Sequence, residues 1–148
     1  MICKCNNHSM KRYNKPGWDF AERYAYGKAQ ETALLPILRR HFGEGVTPHK
    51  NSKSRYDFYE EKGGALTTIE VKSRTNRLTQ YPTTLLRCNK VRDTTDKQLF
   101  VFNFTDDKLG CIEYNREKFA EFAVHYQERY DEGLHYLIPI DQLRVLEK

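Results

Sequence analysis

A chain of 148 residues holds one domain with a core of its own and leaves little room for two. Its 39% hydrophobic and 30% charged residues make a polar globular mixture, with no apolar run near the roughly 20 residues of a membrane-spanning helix. The net charge of +5 is unevenly spread, with +4 in residues 1–17, +5 in residues 72–97 and −4 in the remainder; such blocks suit a grip on a phosphate backbone, although a charged run is also the ordinary make-up of a solvated face.

Residues 1–17 are basic and polar and end in Pro16-Gly17, so they read as an arm ahead of a single domain over 18–148. Met1 to His8 lacks the apolar centre of a secretory signal, which predicts a soluble, intracellular protein of the cytoplasm or the nucleoid or nucleus. Cys3-x-Cys5-x-x-His8 has half the spacing of a zinc site but no second ligand pair follows, and Cys88 and Cys111 read as small packing residues.

Asp19 followed by Glu22 resembles a capping box, predicting a helix that runs to Phe42 and stops at Gly43, with Pro36 expected to kink or break it. At helical spacing Phe20, Tyr24, Gly27, Leu34, Leu35, Leu38 and Phe42 form one stripe, and Glu31 falls inside it. Burying an ionised carboxylate without partners costs several kcal/mol or more, so Glu31 is expected either to form a structural ion pair or to join a site facing a sheet. Gly27, one turn earlier, would permit close approach of the helix to a neighbour.

Gly45 to Pro48 suits a short edge strand. Ser54–Tyr59 and Ala65–Ser73 then read as a hairpin joined by Glu60-Glu61-Lys62-Gly63-Gly64. In the second run Ala65, Thr67, Ile69 and Val71 share one face while Leu66, Thr68, Glu70 and Lys72 share the other. Pairing the strands can bring Asp57 beside Glu70 on the second face, so that two carboxylates and a lysine converge, a plausible site for a hard divalent cation and a proton-handling amine. An acid two residues before a lysine is a loose pattern, also met at Glu60/Lys62 and Asp106/Lys108 in predicted loops, and a cross-strand ion pair is the plainer alternative.

Thr83 to Lys97 reads as a second helix carrying much of the basic cluster. Gln98–Phe104, apolar on both faces, predicts a strand inside the sheet, with Cys111–Tyr114 as its antiparallel neighbour after a turn over Thr105–Gly110. Arg116–Tyr130 carries Phe119, Phe122, Ala123, Tyr126 and Tyr130 at helical spacing and is expected to be a helix with an aromatic core face. His135–Ile140 reads as a last strand, with Asp141 capping a short turn; His41, His125 and His135 have no partner identifiable in the sequence.

Glu31 on a helix, Asp57 on a strand and Glu70-Val71-Lys72 on the next resemble the PD-(D/E)XK nuclease superfamily over roughly residues 19–115. Gly27-Lys28-Ala29-Gln30-Glu31 is similar to the Gly-x-x-x-Glu of its Holliday-junction resolvase branch, while Tyr56 stands where the superfamily's name would put Pro. The resemblance implies an α+β (α/β) fold with a restriction-endonuclease-like αβββαβ core, a mixed central sheet flanked by helices. It implies a Mg²⁺-dependent endonuclease, with Mn²⁺ able to substitute, acting on branched, junction or duplex DNA, with a possible homodimer and no membrane partner. Glu31, Asp57, Glu70 and Lys72 would be catalytic, with Asp57, Glu70 and Glu31 holding the metal. Lys90 would be the polar residue that follows the motif, and Arg74, Arg77, Arg87, Lys90 and Arg92 would bind nucleic acid. A nucleic-acid-binding module that keeps the fold without the chemistry is the alternative, and a protein-interaction domain with a fortuitous motif is a third.

Overall fold

The computed structural model describes residues 20–51, 54–128 and 131–148. In chain order these form α1 (Phe20–Phe42), β1 (Thr47–Pro48), β2 (Phe58–Lys62), β3 (Ala65–Ser73), β4 (Thr83–Arg87), a 3-10 turn (Cys88–Lys90), β5 (Lys97–Asn103), β6 (Lys108–Glu113), α2 (Arg116–Ala120), β7 (Ala123–Gln127), β8 (Gly133–Pro139), a second 3-10 turn (Ile140–Gln142) and β9 (Arg144–Glu147). Six strands pair in the order β1-β2-β3-β5-β6-β9, and β4-β8-β7 form a second sheet. Among the described residues only β3 and β5 pair in parallel. The fold is thus mixed α+β with a mixed central sheet. No helix of the described residues is long and apolar enough to cross a membrane.

Two apolar layers hold this arrangement together, because the central strands are apolar on both faces. On one face Ile69, Val71, Leu99, Val101, Leu109 and Cys111 pack under Leu34 and Leu38 of α1. On the other, Phe100, Phe102 and Ile112 meet Leu86 of β4, Ile138 of β8 and Phe119 of α2. The helix therefore covers one side of the sheet, and the three-stranded sheet covers the other over β5 and β6. The predicted strand over Gln98–Phe104 is this central β5, and its antiparallel neighbour is β6, longer by three residues at its start than expected.

Several expectations are corrected. The helix α1 continues through Pro36, which lies on its exposed side, so the Thr32 carbonyl that loses its partner faces water. A Cβ on Gly27 would meet nothing within 4 Å, and Tyr24 is exposed, so only the C-terminal part of the stripe is core. The hairpin strands are β2 and β3, and Gly63-Gly64 alone make the turn, with φ of +59° and +81° as a two-residue hairpin loop requires.

The basic helix over Thr83–Lys97 is absent: Thr83–Arg87 is a strand bound to β8, followed by the 3-10 turn and a loop. The connection from β3 to its parallel partner therefore carries no α-helix, and the face opposite α1 is covered by β4 and β8 together with the short α2. Arg116–Tyr130 splits after five residues into α2, capped where Asn115 accepts the Lys118 N–H at 2.9 Å, and strand β7, in which Ala123 and Tyr126 are exposed. Strand β9 went unpredicted. The basic arm with Cys3, Cys5 and His8, together with Asp19 and Tyr130, lies outside the described residues.

Candidate functional site

The second face of β3 runs Leu66, Thr68, Glu70, Lys72. The β2–β3 ladder ends at Phe58 opposite Ile69, and Asp57 is the residue just before β2. Two hydrogen bonds fix it there: the Asp57 N–H donates to the Ile69 carbonyl at 3.0 Å, and Asp57 Oδ2 accepts the Val71 N–H at 2.8 Å. Glu70 and Lys72 share a face of β3 by strand alternation, and Asp57 is near enough to Glu70 for its charge to act on it.

Glu31, on α1, lies beside Asp57. Its carboxyl is close enough to Asp57 for hydrogen bonding between the two, while Lys28 Nζ stands 3.1 Å away. Burial raises the Glu31 pKa first and the charge of Asp57 adds to it, against the opposing pull of Lys28. Glu31 therefore has both an ion pair with Lys28 and a place beside Asp57.

Glu70 is almost fully buried, and its pKa is pushed up to about 7, by burial first and by Asp57 second. Lys90 Nζ at 3.2 Å and Lys72 Nζ at 3.6 Å offset only part of this. Lys72 is held below its ordinary pKa, by burial first; Glu70 opposes the shift while Lys90 and Arg74 add to it.

The charge of Asp57 thus disfavours the ionised forms of both Glu31 and Glu70. Among the described residues no three His, Cys, Asp or Glu side chains stand together as a ready-made metal cluster. The carboxylates of Asp57 and Glu70 are nevertheless of the donor type a hard divalent cation takes, since Mg²⁺ typically takes one or two carboxylates and keeps several waters.

The five basic residues divide. Lys90 joins the site through Glu70. Arg92 donates to Thr68 Oγ1 at 3.0 Å and lies over the Tyr56 ring at 5.0 Å, on the same face as Glu70. Arg77 is exposed in the turn after β3. Arg87 pairs with Asp131 at 3.0 Å. Arg74 is committed inward: its guanidinium donates to Thr84 Oγ1 and the Leu85 carbonyl and lies over the Phe102 ring.

Asp131 and His135 are a part of the site's surroundings that the sequence did not announce. Burial alone would raise the Asp131 pKa, but Lys72, His135 and Arg87 outweigh it and hold the carboxyl below its ordinary value. His135, 2% exposed, reaches Asp131 Oδ2 through Nε2 at 3.3 Å. The β4–β8 pairing that sets Arg87 opposite His135 brings them together, and no local spacing signals it. Cys88 and Cys111 have raised thiol pKa values from burial, to about 11 for Cys111, which suits packing rather than nucleophilic work. Compared with models of known protein families and with curated proteins, the chain matches none.

Proposed function

We propose that this protein is a divalent-metal-dependent endonuclease that hydrolyses DNA phosphodiesters, built on a restriction-endonuclease-like variant of the mixed α+β fold. The observation that carries the reading is the nearness of Asp57 to both Glu70 and Glu31, with Lys72 paired to Glu70. Three acids facing a nucleic acid would repel it unless a cation lay between, and the basic residues around them give the polyanion a reason to approach.

Asp57 and Glu70 would hold Mg²⁺ or Mn²⁺, with Glu31 completing the set through water. When bound, such an ion polarises a phosphoryl oxygen and acidifies a coordinated water. The chain's own groups supply the rest. The Val71 N–H fixes the Asp57 carboxylate. Lys90 and Lys72 favour the ionised form of Glu70. Lys72, less basic than an exposed lysine, is placed to orient the attacking water or to donate to a phosphate oxygen. By resemblance, branched or junction DNA is the preferred substrate, and resolving a junction would call for two copies of the chain.

The non-catalytic binding module is kept as a second reading because Glu70 already has two lysine partners. The deciding assay offers four-way junction, flap, duplex and single-stranded DNA to wild type and Asp57→Asn with Mg²⁺ or Mn²⁺, and again with EDTA. Cleavage that needs the metal and is lost in Asp57→Asn, Glu70→Gln and Lys72→Ala, with binding retained, is expected. Binding without cleavage of any substrate would transfer the assignment to the module.

A further inference from the structure

The same sheet face that carries Glu70 continues into a hollow of about 300 Å³ lined by His49, Lys50, Tyr56, Tyr59, Glu61 and Leu66. In the register Tyr59 stands opposite Thr68, one two-residue step (about 7 Å) along β3 from Glu70, and Glu61 stands opposite Leu66, two such steps away. The hollow and Glu70 therefore line a single track.

Its walls are aromatic and cationic. His49 stands edge-on to Tyr56, with ring centroids 4.9 Å apart, and to Tyr59 at 6.0 Å. Arg92 backs Tyr56 from the side of Glu70, and Lys50 is exposed at the hollow. The backbone N–H of His49 donates to the Asp57 carbonyl at 2.8 Å, so the aromatic wall and the acidic site are anchored to the same residue. Flat aromatic faces beside cations suit nucleobases, whose stacking tolerates any sequence, and a buried duplex base cannot reach such a hollow without leaving its stack. Glu61 adds an acceptor for an exocyclic amino group.

We infer that this hollow receives an unpaired nucleobase, so that the strand held across Asp57 and Glu70 carries an unstacked nucleotide next to the phosphate at the site. The inference rests on the nuclease reading for the role of that phosphate, but its binding component stands apart from it. It assigns the substrate class: single-stranded DNA or DNA with a bulge, flap or junction, in preference to continuous duplex.

The test measures binding in EDTA, so that no cleavage enters. Wild-type affinity is compared for a bulged duplex with one unpaired adenine, the same duplex with an abasic residue there, and the fully paired duplex. Binding of the adenine bulge about 10-fold tighter than the abasic one is expected, with the difference lost in Tyr59→Ala and kept in Tyr59→Phe. Equal affinity for the two bulges, or no binding of either, overturns the inference, and this wild-type comparison stands even where Tyr59→Ala fails to fold. Cleavage without base dependence would leave the nuclease reading and remove the pocket. Base dependence without cleavage would do the reverse.

Discussion

At Glu70 the energetics of the site are concentrated in one carboxyl. Its pKa rises from 4.5 to about 7 on folding, by burial and then by Asp57, so between those values the folded protein holds a proton that the unfolded chain has released. Stability from this group is therefore greatest below pH 4.5 and falls as pH rises through 7, by about 3 kcal/mol over the window. Urea unfolding of wild type and Glu70→Gln at pH 4.5 and pH 8, in metal-free buffer, should show the loss in wild type and its absence in the variant. Parallel behaviour of the two would mean that Glu70 titrates normally. Asp57→Asn keeps an oxygen for the Val71 N–H while removing the repulsive charge, so it should be more stable than wild type at pH 8. A bound divalent cation favours the ionised form, so titrating Mg²⁺ at pH 6 should release protons, seen as a heat that differs between buffers of unlike ionisation enthalpy. Equal heats would place the cation away from Glu70.

At the scale of elements, what the sequence revealed follows from how local each cause is. The Glu70/Lys72 face of β3 could be read because strand alternation fixes which residues share a side, and the Gly63-Gly64 turn fixes the β2–β3 register. Burial of Leu34 and Leu38 was legible from helical spacing. Thr83–Arg87 was not, because it is a strand only through β8, some fifty residues later, and its leucines and basic residues suit a helix equally well in isolation. Likewise, Phe119 and Phe122 lie at a spacing that a five-residue helix satisfies, and Val124 and Tyr126 belong to a strand defined by the same distant partner. Arg74 shows the consequence for function. Its position in a basic run predicts a phosphate contact, yet it ties the end of β3 to β4 through Thr84 and the Leu85 carbonyl. Arg74→Ala should then cost about 1–3 kcal/mol in denaturant unfolding by leaving these acceptors unmet, with the salt slope of DNA binding unchanged. A reduced slope at full stability would return Arg74 to the binding surface.

For the whole molecule, the direction of α1 follows from what its two halves meet. Phe42 at its C-terminal end lines a hollow with Lys97 and Leu99, where β5 begins, whereas Glu31 meets Asp57 beside Val71, toward the end of β3. The helix thus runs against the parallel pair, and its N-terminal half extends on the side of the site. Residues 1–17, with a net charge of +4, precede α1 in the chain. Each phosphate neutralised contributes about 0.9 to the slope of log K against log salt. Deleting residues 2–17 should therefore lower the slope for duplex or branched DNA by up to about 4, while Arg77→Ala lowers it by about 0.9. Because the arm contributes charge and none of the groups at the carboxylate centre, its deletion should raise KM and leave kcat unchanged. A fall in kcat at saturating DNA would place part of the arm in the chemistry, and an unchanged slope would confine DNA contact to the folded domain.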